Sequence, residues 1–280
     1  LEWIIDIIGE YYQQTKNRIK LKLNFEWGCD KNIMTRLSSE VWFPLIELLR
    51  FNSVMPEFLT ITLNNTAHLT QLNDLSILTG LDRIDFALFP GLNNLNSLQT
   101  LDLHFLINED NIESFFKYFT IPKMIREIDF RIDIEKFASN YMAEYFTSEN
   151  LDKMASAFDD LNFCKLVKVT VRLKGYNFYF VAEGLLNRLL QMKTSPLEFA
   201  FSTVDYFCYD YDAESISEGV FEYWNFDLSN LLHMSKEFAS KLQRMEINVK
   251  ILTISQSLEG LFALMPNLNS LELRGRLIEP

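Results

Sequence analysis

Apolar residues in this chain return in one hexad, apolar-x-x-apolar-x-apolar. A full copy runs Met265-Pro266-Asn267-Leu268-Asn269-Ser270-Leu271-Glu272-Leu273, and Met55-Pro56-Glu57-Phe58-Leu59-Thr60-Ile61-Thr62-Leu63 repeats its form. The last three positions alternate, so an extended backbone puts two apolar side chains on one face and a polar one on the other. Further copies are Leu81/Ile84/Phe86, Leu98/Leu101/Leu103, Ile125/Ile128/Phe130, Leu166/Val169/Val171 and Leu242/Met245/Ile247. A degenerate copy, Leu197/Phe199, has Thr194 where the first apolar residue belongs. Leu72/Leu75/Ile77 also fits but begins nine residues before Leu81, too short for a full coil, so one of that pair is not a rung.

The spacing is that of a stacked array. Leu98 to Ile125 is 27 residues, Leu166 to Thr194 is 28 and Leu242 to Leu268 is 26. Helical patterns fill the intervals. Asp110-Asn111-Ile112-Glu113 has capping-box form and leads into Ser114–Phe119. Tyr179 to Met192 carries a long apolar stripe, and Ser257–Met265 a shorter one. Prolines Pro122, Pro196 and Pro266 stop those helices and favour extended chain after them. Upstream, residues 1–16 carry a helical stripe (Ile4, Ile5, Ile7, Ile8, Tyr11, Tyr12), 19–25 alternate as a strand, and Val41 to Leu49 predicts a helix with Pro44 in its first turn. Two intervals are long. Ile125 to Leu166 spans 41 residues, the surplus at 134–160 predicting two short helices, and Thr194 to Leu242 spans 48, leaving an insertion at 203–228.

Leu-x-x-Leu-x-Leu spaced by a helix resembles the leucine-rich-repeat family, in its ribonuclease-inhibitor-like, helix-bearing form. The resemblance implies an α/β solenoid, with a curved parallel β-sheet on the concave side, helices on the convex side, and two insertions. Residues 1–55 form an N-terminal cap or atypical first repeat, and 56–280 the solenoid. Phe105 after Leu103 and Ile132 after Phe130 stand where the family's buried asparagine is expected, so the backbone groups of the turns need other partners.

Composition narrows the work such a fold does. Hydrophobic residues make up 48% and charged residues 23%, a globular balance. Net charge is −12, which repels a phosphate backbone and argues against a nucleic-acid role. Three cysteines, Cys29, Cys164 and Cys208, are widely separated. They suit a reducing, cytoplasmic setting rather than a disulfide framework. No apolar run reaches the roughly 18–20 residues of a membrane span. Leu1-Glu2-Trp3-Ile4-Ile5-Asp6 lacks the marks of a secretory signal, and a start without methionine fits a piece of a longer chain.

On the expected concave face the polar residue inside each hexad points outward. In order these are Thr62, Asp85, Asp102, Asp129, Thr170, Glu198 or Ala200, Glu246 and Glu272. Asp85, Asp102 and Asp129 predict a carboxylate row at the strand spacing of about 4.8 Å. It is either a docking stripe for a basic peptide or a solvated face neutralised by Arg83, Arg131, Arg172 and Arg244. His104 lies beside Asp102 on the same predicted strand. The insertion supplies a second surface, rich in aromatics and acids: Tyr206, Tyr209, Tyr211 and Trp224, which either meet a partner or fold back. Asp205, Asp210 and Asp212 lack the glycine-turn spacing of a calcium loop.

Catalytic signatures are missing from the chain: no phosphate-cradling glycine loop, nucleophile elbow, metal-spaced histidines or Cys/His pairing. The expectation is a non-catalytic adaptor or scaffold without cofactor or metal, binding a protein partner rather than nucleic acid or membrane. The alternatives are a substrate receptor beside an F-box in a ubiquitin ligase, which the family resemblance implies, and a structural subunit of a large assembly.

Overall fold

A computed structural model describes residues 11, 20–25, 42–52, 56–78, 85–134, 144–159, 161, 167–175, 179–205 and 225–278. Ten strands form one sheet: β1 (Leu21–Phe25), β2 (Ile46–Asn52), β3 (Asp74–Leu78), β4 (Thr100–Ile107), β5 (Glu127–Ile134), β6 (Lys168–Gly175), β7 (Glu198–Asp205), β8 (Asn225–Asp227), β9 (Arg244–Thr253) and β10 (Ser270–Leu277). They line up in chain order, every pairing parallel, except that β8 takes the far half of β9. Between them run α1 (Pro56–Asn64), α2 (Ile112–Tyr118), α3 (Ser148–Asp159), α4 (Tyr179–Leu189), α5 (Lys236–Ala239) and α6 (Leu261–Leu264). Parallel crossovers share one hand, so an order that never reverses lays all its helices on one face.

Burial follows from that one-sidedness. In β4, Leu101, Leu103, Phe105 and Ile107 are fully buried, while Thr100, Asp102, His104 and Leu106 on the other side are half-buried. Parallel sheets are ordinarily covered on both faces and read as continuous apolar runs. Here alternation survives because only one face is covered. Under the helices, Phe105 meets the rings of Phe86 at 5.3 Å, Phe89 at 5.2 Å and Phe130 at 6.2 Å. Phe130 continues the chain of rings to Phe119 at 5.1 Å and Phe158 at 5.7 Å. Edge-to-face packing of this kind adds to plain area burial.

Each coil is clipped to the next where its strand begins. Asn73 O accepts from both Gln99 N and Thr100 N, Gln99 O from Arg126 N and Glu127 N, and Arg126 O from Val167 N and Lys168 N. The same fork recurs at Val167, Leu197 and Gln243. One-coil steps of 26 residues appear directly in the side-chain bonds Asn73 to Glu47 and Ser76 to Asp102.

Phe105 and Ile132 remain inside long strands as core residues, so no asparagine stands there. The turn after β4 is held instead by Asn108, whose side-chain oxygen accepts from Asp110 N and Asn111 N at 3.1 and 3.2 Å. Elsewhere short polar side chains reach one coil over: Ser97 to Thr70 O, Asn94 to Thr66 and Asn267 to Ser240 O. Thr194, the apparent flaw in its hexad, is wholly buried. Its hydroxyl donates to Asp159 O at 3.0 Å, and its N–H to Asp159 Oδ1 at 3.2 Å.

Three expectations fail. Pro56 opens α1 rather than leading into a strand, because proline's fixed φ suits a helix's first position as well as extended chain. The helix expected over Val41–Leu49 is not found at 42–49: a 3-10 turn (Phe43–Leu45) containing Pro44 gives way to β2. Of the competing pair, Leu72/Leu75/Ile77 supplies the rung β3, and Phe86 begins a 3-10 segment, Phe86–Asn94. The capping residue before α2 is Asn111, with no side-chain cap; its carboxamide turns back to Asn108 N and Leu106 O. The predicted helix at 1–16 lies, apart from Tyr11, outside the described residues. Of the two helices expected at 134–160, α3 is present.

Candidate functional site

The uncovered face of the sheet carries its side chains in cross-strand rows. One row reads Ser76, Asp102, Asp129, Thr170, Ala200, Glu246 and Glu272 from β3 to β10. The next, two residues along each strand, reads Leu78, His104, Arg131, Arg172, Ser202, Asn248 and Arg274. The first has acids and no base. The second has bases and no acid. Period-two alternation on parallel strands without register slip between β4 and β7 produces these stripes.

Neighbouring side chains on this face are bonded to one another, within a row and between rows. Arg172 Nη2 donates to Asp129 Oδ2 at 2.9 Å, and Ser76 Oγ donates to Asp102 Oδ2 at 3.1 Å. Arg131 Nε donates to Asp133 Oδ1 at 3.1 Å. His104 Nε2 lies 3.2 Å from Asp133 Oδ2. At the far end Arg274 Nη2 sits 2.6 Å from Glu272 Oε1. Arg244 reaches Glu246 and Glu272 only at 3.8 and 3.7 Å.

Proton affinities follow these surroundings. Burial, and after it the adjacent Asp129 carboxylate, hold Asp102 above the usual carboxylate range against the Ser76 bond. Burial also raises Asp129, with Arg172, Lys168 and Arg131 pulling back incompletely. Asp133 goes the other way: burial would raise it, but His104 and Arg131 together outweigh that and leave it low.

The predicted site residues divide. Asp102, His104, Asp129, Arg131, Arg172, Glu246 and Glu272 share the open face. Between Glu198 and Ala200, Ala200 occupies the row; Glu198 stands abreast of Lys168 and Arg244. Asp85 does not belong. It caps the Phe86–Asn94 segment, its Oδ1 accepting from Ala87 N at 3.0 Å, because the rung before β4 is β3 and not the Leu81 hexad. Thr62 is buried on α1. Tyr206, Tyr209, Tyr211 and Trp224 lie outside the described residues.

Sequence reasoning missed Ser76, Asp133 and the gap at Ala200 and Ser202. The first follows from misplacing a rung. Asp133 was legible, since alternation continues past Phe130 through Arg131 and Ile132. The gap leaves a hollow of about 450 Å³ over β6, β7 and β9. Among the described residues no group of three or more His, Cys, Asp or Glu converges as a metal site, and no helix is long and apolar enough to cross a membrane. Set against models of known protein families and against characterised proteins, the chain matches none, and the face is read from its own geometry.

Proposed function

We propose that this chain is a leucine-rich-repeat-like solenoid whose uncovered sheet face docks a protein partner, as a non-catalytic scaffold or adaptor. One observation carries the reading. A ten-stranded parallel sheet carries rows of partly exposed polar and charged side chains on one face, and among the described residues its helices are laid on the other. A repeat array offers such a face as an extended recognition surface. Charges held in paired rows favour specificity and register more than raw affinity, the usual work of polar groups in a docking surface. Basic groups on the partner would meet Asp102, Asp129, Glu246 and Glu272. The 203–228 segment, with Tyr206, Tyr209, Tyr211 and Trp224, adds a second contact on sequence grounds alone, since aromatic side chains give large contact area at low entropic cost.

The test is charge reversal on the acidic row. Affinity capture with the wild-type chain, at low and high salt, is compared with the Asp102→Lys/Asp129→Lys variant. The reading expects a specific, salt-sensitive partner that the variant loses. An unchanged captured set at both ionic strengths removes the acidic row from any docking role.

A further inference from the structure

The layer of long side chains on the open face is broken at one place, over β7. Its flanking strands present Thr170 and Arg172 on one side and Glu246 and Asn248 on the other; between them β7 presents the small Ala200 and Ser202. The resulting hollow has these small side chains in its lining, together with Arg131, Lys168, Arg172, Lys174 and Arg244 against two acids, Glu198 and Glu246. This is a cationic recess in a chain of net charge −12.

β6 is the source of the imbalance. It turns Lys168, Arg172 and Lys174 to this face and no acid. Towards β5 they are matched: Glu127 is abreast of Lys168, Asp133 of Lys174, and Asp129 holds Arg172. Towards β7 the match is partial: Glu198 stands abreast of Lys168, but only Ser202 stands abreast of Arg172. Lys168 has no ion pair among the described residues, although Glu198 stands abreast of it. On the opposite flank Arg244 is held at 3.8 and 3.7 Å from its two acids, well outside the roughly 2.7–2.9 Å of a charge-assisted hydrogen bond. Lys168 on one flank and Arg244 on the other therefore keep donor capacity in the lining of a hollow where Ala200 and Ser202 supply no acid.

We propose that this hollow receives a carboxylate side chain, glutamate or aspartate, from the docked protein partner. The inference rests on the docking reading above and adds the partner's chemistry at one point. The chain's overall field repels acidic proteins, but screening confines such fields to about 8 Å at physiological salt. The fitting partner segment is therefore mixed: a single acid for the hollow, set among basic residues that face the acidic row. A uniformly basic peptide leaves the recess unfilled and meets its cations.

Ala200 makes a reporter, since its methyl belongs to the lining. The full chain, labelled with carbon-13 at alanine methyls, is titrated with three capped peptides. They share lysine flanks and differ at the centre: glutamate, glutamine or lysine. The expected result is a saturable shift of the Ala200 methyl with the glutamate peptide. The glutamine twin should bind about tenfold weaker, which is ~1.4 kcal/mol. Lys168→Glu should abolish that preference with thermal stability unchanged, and Lys168→Arg should keep it. Equal binding of the glutamate and glutamine peptides overturns the inference, as does a preference that survives Lys168→Glu. An equal shift from inorganic phosphate alone also overturns it. If the lysine-centred peptide alone moves Ala200, docking stands and the carboxylate assignment falls. If no peptide moves any signal on the face, both fall.

Discussion

Asp102 of β4 and Asp129 of β5 stand directly abreast on the open face of the sheet. Two carboxylates at neighbouring-strand spacing repel each other, and both are held above the usual carboxylate range. Ser76 on one side and Arg172 on the other bond one carboxylate each and keep the pair in place. Stability alone gives no reason for such a pair; the proposed docking role would supply one.

Asp102→Asn keeps an acceptor for Ser76 and removes the repulsion. Like charges directly opposite in a sheet cost about 0.2–1 kcal/mol, so the variant should be more stable by that order at pH 7. The sign follows from linkage. A carboxylate raised in the folded state binds its proton more tightly there than in the unfolded chain. Its unfavourable contribution therefore grows as pH rises from about 4 through the folded pKa, and vanishes below. Thermal melts from pH 3 to pH 7 should show wild type and variant converging at the acid end. A gap that widens towards low pH would contradict this.

Asp227 is the opposite case. It caps the 3-10 segment Leu228–His233, accepting from Ser229 N at 2.9 Å, and reaches the next coil at Ser255 N, 3.2 Å away. Burial would raise it, but the hydrogen bonds from Ser255 and Ser229 prevail and lower it to about 2. Its stabilisation is complete above the unfolded value of about 4 and is lost as pH falls through the folded one. Asp227→Ala should cost about 0.5–2 kcal/mol at pH 7, the usual loss for a cap. That deficit should shrink towards pH 2, as followed by urea unfolding.

Gly91 lies where the Phe86–Asn94 segment comes close to α1. A Cβ there would lie 2.9 Å from Leu63 O, a backbone atom that cannot swing aside. Gly91→Ala should therefore destabilise by about 1–3 kcal/mol, the range for overpacking. Equilibrium denaturation reads it directly. A neutral result would mean that α1 sits farther off.

The middle and end of the sheet are legible in the sequence, and its beginning is not. Leu101/Leu103, Ile128/Phe130, Val169/Val171, Met245/Ile247 and Leu271/Leu273 all supply strands of the one sheet. In β2 the half-buried Leu48 breaks alternation beside Leu49 and mimics a helical stripe with Val41 and Leu45. In α1 the buried positions Leu59, Thr62 and Leu63 follow helical spacing, a set that shares Leu63 with the apparent hexad but leaves Ile61 out. Short apolar runs satisfy both periods, and long-range register decides between them. Stepping back from Leu101 by the coil length of 26 lands on Leu75, Leu49 and Leu23, which are register partners in turn. The acidic row was half legible for the same reason. Asp102 and Asp129 follow from good rungs, Asp85 from a false one. The hollow was illegible, because an absence of side-chain bulk at Ala200 and Ser202 has meaning only beside Arg172 and Glu246.

The most direct test of the docking face is site-specific photo-crosslinking in cells that express the full chain. A photoreactive residue is placed at Ser202 or Asn248 on the open face, and at Lys153 or Glu183 on the helical side, where α3 and α4 are exposed. The account predicts one discrete crosslinked partner from Ser202 and Asn248 and none from Lys153 and Glu183. Crosslinks arising only from the helical side would contradict it.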